Sequence, residues 1–168
     1  MGRFAVYPGS FDPITNGHLN IIRRSLKVFE HLTVAVAVNS NKKPLFTPAE
    51  RVAIINESVI AEFGADNKIE VEYFEGLIVN YADRKKADAL VRGLRAVSDF
   101  EYEFQMAAMN HKLNPRVETF FMMTAEDQFY ISSQTVKEVA SLGGSVEGLV
   151  PENVKIALQK KFALKETV

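Results

Sequence analysis

The stretch Tyr7-Pro8-Gly9-Ser10-Phe11-Asp12-Pro13-Ile14-Thr15-Asn16-Gly17-His18 gathers the residue types that handle phosphate. It follows a strand-like Phe4–Tyr7 and leads into a helix expected to start near Asn16. Gly9 and Gly17 let backbone approach a ligand closely, and Ser10 can donate a hydroxyl. A helix that starts here turns its unsatisfied amides and positive dipole end toward the loop. His18 falls on that first turn, where its ring can donate a hydrogen bond to a phosphate oxygen. A lone Gly-His at a helix start is more often a turn and a cap. What points to phosphate is the joint pattern of strand, Gly-Ser-Phe-Asp, then Thr-x-Gly-His after a short interval. It is neither a dinucleotide G-x-G-x-x-G fingerprint nor a Walker loop, whose Gly-Lys-Ser/Thr is missing.

The elements that must hold this loop alternate along the chain. Phe4–Tyr7, Leu32–Val38, Ile69–Tyr73, Ala87–Val91 and Val117–Met123 read as five strands. Thr47-Pro48-Ala49-Glu50 is a capping box with proline at the first helical position, followed by a Val52, Ile55, Val59, Phe63 stripe. Ser98-Asp99-Phe100-Glu101 reads as a second capping box opening a long helix toward Leu113. Pro151-Glu152 starts a terminal helix that ends near Leu164. The expectation is an α/β fold: a Rossmann-like parallel five-stranded sheet with helices on both faces, in a single domain over 1–168. Ligands of such sheets bind beyond the carboxyl ends of the strands, where the first connection lies.

The helix after Ser98 carries two apolar lines, Phe100-Phe104-Ala108 and Tyr102-Met106-Met109-Leu113. Either it is a central core helix, or one line faces the core and the other a second subunit.

Composition bounds the rest. At 168 residues, 47% apolar and 24% charged, the chain has the make-up of an ordinary globular domain. It has no cysteine, which excludes disulfides and thiolate metal sites. A formal net charge of −1 gives no footprint for nucleic acid, so an anion site must be local. The most apolar run, Leu32–Val38, is too short to span a bilayer, and the N-terminus shows no signal-peptide pattern. A cytoplasmic protein with neither a nucleic-acid nor a membrane partner is expected.

The loop resembles the signature of the T/HxGH nucleotidyltransferase superfamily. Lys42-Lys43-Pro44, Arg92-Gly93-Leu94-Arg95, Asp99-Phe100-Glu101-Tyr102-Glu103, Ile131-Ser132-Ser133, Val136-Lys137-Glu138-Val139-Ala140 and Pro151-Glu152-Asn153-Val154 resemble the phosphopantetheine adenylyltransferase family, nearly end to end. That family joins ATP and 4′-phosphopantetheine to give dephospho-coenzyme A and pyrophosphate. The resemblance implies His18 as the catalytic residue, stabilising the transition state at the ATP α-phosphate. It implies ATP contacts at Ser10, Phe11, His18, Gly93, Leu94, Arg95, Glu103, Gln128, Phe129, Tyr130, Ile131, Ser132, Ser133 and Gln134. The acceptor would be met by Ser10, Lys42, Leu77, Ile78 and Arg92. It further implies coenzyme A as a ligand of the same site and a homo-oligomer, a hexamer, while triphosphate chemistry implies a magnesium ion carried by the ATP phosphates rather than caged by protein.

Apart from the resemblance, Lys42 and Lys43 read equally as a solvated loop, Arg92 and Arg95 as salt-bridge partners, and Ser132 and Ser133 as helix caps. Gln134 stands where the family commonly carries a small hydroxyl residue, and Phe129-Tyr130 also departs from its aromatic pattern. Two other functions stay open: a transferase of the same superfamily with another acceptor or nucleotide, and a silent nucleotide-binding module.

Overall fold

The computed structural model describes residues 3–38 and 43–163, apart from the side chains of Val97 and Ser98. Lys42 lies outside the described residues. Strands β1 (Phe4–Gly9), β2 (His31–Ala37), β3 (Ile69–Phe74), β4 (Ala89–Leu94) and β5 (Glu118–Met123) alternate with helices. These are α1 (Asn16–Ser25), α2 (Pro48–Phe63), α3 (Ile78–Lys85), α4 (Val97–Leu113), α5 (Ser133–Ser141) and α6 (Glu152–Ala163). The strands form one parallel sheet in the order β3-β2-β1-β4-β5. The expected α/β architecture is therefore observed.

Strand alternation sends side chains to opposite faces, and both faces are covered. Ala5, Tyr7, Leu32, Val34, Val36, Ala89 and Val91 pack with Leu19, Ile21 and Ile22 of α1, Ile55 and Val59 of α2, Val136 of α5, and Val154 and Leu158 of α6. The intervening Val6, Ala35 and Leu90 point the other way, toward Val79, Tyr81 and Ala82 of α3. The helix starts are chemically specified. The Thr47 hydroxyl accepts from the Glu50 N–H at 3.2 Å, the Glu50 carboxylate accepts from the Thr47 N–H at 2.7 Å, and Pro48 follows.

Four expectations change, the first being that β1 runs to Gly9 rather than Tyr7, so Pro8 and Gly9 lie within it. Strand β4 runs from Ala89 to Leu94 rather than Ala87 to Val91, so Arg92, Gly93 and Leu94 lie within it. The cause is pairing with β5, which continues through Arg92↔Phe121, Gly93↔Met122 and Leu94↔Met123. Helix α4 begins at Val97 behind Ala96, with no side-chain cap, so Ser98-Asp99-Phe100-Glu101 is not a capping box. Instead Asp99 reaches back to the Arg95 N–H at 3.3 Å and to its guanidinium at 3.0 Å. Finally, α4 is not a core helix in the single chain. Tyr102 is 63% exposed and Phe104 57%, and Phe100, Met106, Met109 and Leu113 are exposed beside them.

Candidate active site

The chain leaves β1, builds β2 and β3 on one side, then returns to place β4 on the other. The switch point therefore lies between β1 and β4. These two strands pair only at Ala5↔Ala89 and Val6↔Leu90, whereas β1 and β2 stay paired through Gly9↔Val36. Beyond Val6 and Leu90 the strands part, and a crevice of about 420 Å³ opens between their carboxyl ends.

Loop one forms one wall. Phe11 takes a positive φ of 44°, a conformation a bulky residue rarely adopts unless its surroundings hold it there. Its ring is buried and meets Tyr7 edge-on at 5.2 Å and His18 at 5.0 Å. A side chain at Gly9 would run into that ring at 2.9 Å, which explains glycine there. Gly17 differs, because an added Cβ would meet its nearest neighbours at an ordinary 3.6 Å. The protein's own packing therefore does not require glycine at this position.

His18 is the third residue of α1 and forms a capping box with Thr15. The Thr15 backbone N–H donates to Nδ1 at 3.0 Å, and the Thr15 hydroxyl lies 3.0 Å from the same atom. A backbone N–H can only donate, so Nδ1 is the acceptor and the neutral ring carries its proton on Nε2. Burial, together with the nearby Arg95 guanidinium, pushes the imidazole pKa down to about 4. The ring is thus a neutral Nε2–H donor on the crevice floor. The first-turn amides of Asn16 and His18 are engaged by the Leu149 carbonyl and the Thr15 hydroxyl.

Strand β4 supplies the opposite wall. The Arg92 guanidinium bonds the Glu103 carboxylate twice, at 2.5 and 2.6 Å, and donates to the Pro8 carbonyl at 3.0 Å. It therefore bridges the parted strands. Burial works against this charge, but the bonds to Glu103 outweigh it and the pKa rises. Arg95 pairs with Asp99. Burial raises the Tyr7 hydroxyl above its ordinary range, with the Arg92 charge opposing. At the start of α5, the Ser132 hydroxyl accepts from the Thr135 N–H at 3.0 Å as a cap, while the Ser133 hydroxyl donates to the Pro13 carbonyl at 2.7 Å.

Of the residues expected from sequence, Ser10, Phe11, His18, Arg92, Gly93, Arg95, Glu103, Ile131, Ser132, Ser133 and Gln134 line this one crevice. Leu94 is buried and does not line it. Gln128, Phe129, Tyr130, Leu77 and Ile78 do not line it; Phe129, Tyr130 and Leu77 are exposed. Ile21 and Thr124 line the crevice unanticipated, beside Tyr7 at the head of loop one. Each had a signal: Thr124 lies just past the carboxyl end of β5, and Ile21 is one helical turn after His18.

A cytidylyltransferase-like family model matches residues 6–139. A phosphopantetheine adenylyltransferase of Anaeromyxobacter sp. (strain K) is 57% identical over 162 residues, covering 96% of each chain. Another, from Lawsonia intracellularis, is 52% identical over 160 residues, covering 95% of this chain and 91% of its own. Among solved structures, a bifunctional NMN adenylyltransferase/ADP ribose pyrophosphatase of Francisella tularensis superposes with a TM-score of 0.64 at 16% identity. That superposition covers 99% of this chain and 54% of the other, and at such identity it speaks for the fold alone. With the family's loop, crevice and near full-length identity together, the chain belongs to the cytidylyltransferase-like family and, within it, to the phosphopantetheine adenylyltransferases.

Proposed function

We propose that the chain transfers the adenylyl group of ATP to 4′-phosphopantetheine, giving dephospho-coenzyme A and pyrophosphate, a step of coenzyme A biosynthesis. The observation that carries this reading is His18, held as a neutral Nε2–H donor in a crevice that also receives Ser10, Arg92 and Arg95.

The attacking group is the acceptor's phosphate, whose second pKa near ~6 leaves it mostly dianionic at neutral pH. It needs no general base. One of its oxygens bonds to the α-phosphorus of ATP as the bond from that phosphorus to the β-bridging oxygen breaks, and pyrophosphate leaves. The protein's work is to align two anions and to stabilise charge at the transferred phosphorus. His18 donates to an α-phosphate oxygen as charge builds there. Ser10 contacts phosphate from the facing wall, and Arg92 and Lys42 hold the acceptor phosphate. Gly93, Leu94, Arg95, Glu103 and the Gln128–Gln134 segment serve ATP, while Leu77 and Ile78 border the pantetheine arm. Coenzyme A, which shares that arm, is a ligand of the same site.

Among the described residues no group of three or more His, Asp or Glu side chains is placed to cage a metal ion. The crevice offers hydroxyl and amide oxygens, among them Ser10, Thr124 and Gln134, and the Glu103 carboxylate, which is bonded to Arg92. This donor set fits a magnesium ion that arrives on the triphosphate and keeps its waters. When bound, such an ion neutralises phosphate charge and favours departure of pyrophosphate.

Pyrophosphate release tests the assignment, with ATP and 4′-phosphopantetheine set against nicotinamide mononucleotide as acceptor and CTP as donor. Release is expected with the first pair. Activity confined to a rival acceptor or nucleotide sinks the assignment. The reaction belongs in the cytoplasm, the compartment that supplies ATP.

The exposed apolar residues of α4, with Phe120 and the 58% exposed Met123 of β5, favour a homo-oligomer, and the family resemblance a hexamer. Phe104→Glu places a charge in this patch without touching the crevice. It should shift the mass read by light scattering to a smaller species while circular dichroism stays unchanged. A monomeric unaltered chain would refute the interface.

A further inference from the structure

We propose that Asp12, through its ion pair with Lys137, is a positioning residue that locks loop one, the approach to α2 and the start of α5 into one body around the crevice. Asp12 is only 4% exposed and does not line the cavity. Its carboxylate spans three partners. Oδ2 accepts from the Leu45 N–H at 2.9 Å and from Lys137 Nζ at 2.8 Å, while Oδ1 accepts from the Phe46 N–H at 2.9 Å. Only a carboxylate offers two acceptor oxygens with a charge to match the lysine. Lys137 sits on α5, one turn beyond the Ser132–Gln134 start that forms a crevice wall.

The same loop is held at its other residues from the same two directions. Arg51 of α2, itself buried, donates to the Ser10 carbonyl at 2.7 Å and to the Ala37 carbonyl at 3.3 Å. Ser133 of α5 donates to the Pro13 carbonyl at 2.7 Å. Ser10 and Phe11 therefore face substrate on a loop whose rear is fixed by α2 and α5. The wall from loop one and the wall from α5 must keep their spacing for two anions to meet in line. A displacement of about 1 Å at a reacting centre can cost about a hundredfold in rate. Asp12 acts through this spacing and not by contact with substrate. Lys137 does not line the crevice, which sets it apart from a phosphate ligand.

The inference rests on the adenylyl-transfer reading, so the test carries an arm that does not. Lys137→Met, Lys137→Arg, Asp12→Asn and the double variant Asp12→Asn/Lys137→Met are assayed by pyrophosphate release from ATP and 4′-phosphopantetheine. Amide hydrogen exchange is followed in the same proteins. Lys137→Met should lower kcat about tenfold with the KM for ATP unchanged, and Lys137→Arg should recover most of the loss. The double variant should fall no further than Asp12→Asn alone. Because Lys137 is partly exposed, Lys137→Met carries the test even where Asp12→Asn fails to fold. Unaltered turnover in Lys137→Met overturns the proposal. So does a rise in the KM for ATP alone, which would make Lys137 a phosphate contact. If the unaltered chain does not release pyrophosphate, the functional reading fails, and exchange decides the positioning role. Faster exchange of the Leu45 and Phe46 amides in Lys137→Met supports it, and unchanged exchange overturns it.

Discussion

Replacing His18 with alanine is expected to lower turnover by roughly 10²–10³, the range for removing one transition-state donor, while ATP affinity stays close to that of the unaltered chain. The asymmetry follows from the ring's bonding. Nδ1 is occupied by the Thr15 N–H, so the ring is held in one orientation before substrate arrives. Its Nε2–H meets more negative charge in the pentacovalent transition state than in bound ATP, and only that difference accelerates the reaction. The variant also leaves the Thr15 N–H without its acceptor and removes the edge contact to Phe11, so about 1 kcal/mol of stability should go with the cap. Kinetics are therefore read well below the unfolding temperature, with ATP binding measured by calorimetry. Equal losses in binding and turnover would make His18 a uniform binding group instead.

The same ring fixes a pH signature. In the folded chain its pKa falls from 6.5 to about 4 through burial and the Arg95 charge. His18 then stays neutral across the working range, and an acidic limb near ~6 in the rate profile belongs to the acceptor phosphate. For stability the sign is opposite to that of a salt-bridged histidine. Below pH 6.5 the unfolded chain binds a proton on this ring that the folded chain refuses until about pH 4. Its effect is absent above pH 6.5 and increasingly destabilising as pH falls through that window. His18→Ala should flatten that part of the urea-derived stability curve.

The loop from Tyr7 to His18 was legible because its determinants are local: a strand end, a cap three residues before the histidine, and glycine beside a packed ring. The five strands and the parallel sheet were legible for a similar reason, since runs such as Leu32–Val38 declare burial on both faces. What escaped depends on partners distant in sequence. The carboxyl end of β4 is set by pairing with Phe121, Met122 and Met123, so Arg92 was read as lying past the strand when it lies within it. Asp12 looked like one letter of a motif, yet its partners lie 33, 34 and 125 residues away. Helix α4 illustrates a different limit. Periodicity tells which side chains need cover without telling what covers them, and Tyr102 and Phe104 are left exposed by their own chain.

Removing Arg92 is expected to cost about 10³ in kcat/KM for the acceptor, and removing its partner as well should recover part of that loss. Glu103 is the reason. Its side chain is 13% exposed and faces Arg92 through paired bonds at 2.5 and 2.6 Å. Removing a donor aimed at the reacting phosphates costs about 10²–10³ in rate, and breaking this part-buried pair from one side also strands the other charge, a separate cost to folding. Here the stranded group is a carboxylate in a crevice that must admit two polyanions, so it opposes binding as well as folding. The guanidinium also ties Pro8 to β4 across the gap where the strands part, so Arg92→Ala loosens both walls together. Arg92→Ala/Glu103→Gln removes the stranded charge and should regain about tenfold over Arg92→Ala, although it lacks one more native group. Glu103→Gln alone leaves Arg92 bonded to Pro8 and should lose least on the acceptor side. Steady-state kinetics with both substrates varied read all three. If the double variant is worse than Arg92→Ala by the full effect of Glu103→Gln, the two residues act independently, and the pair does not govern charge in the crevice.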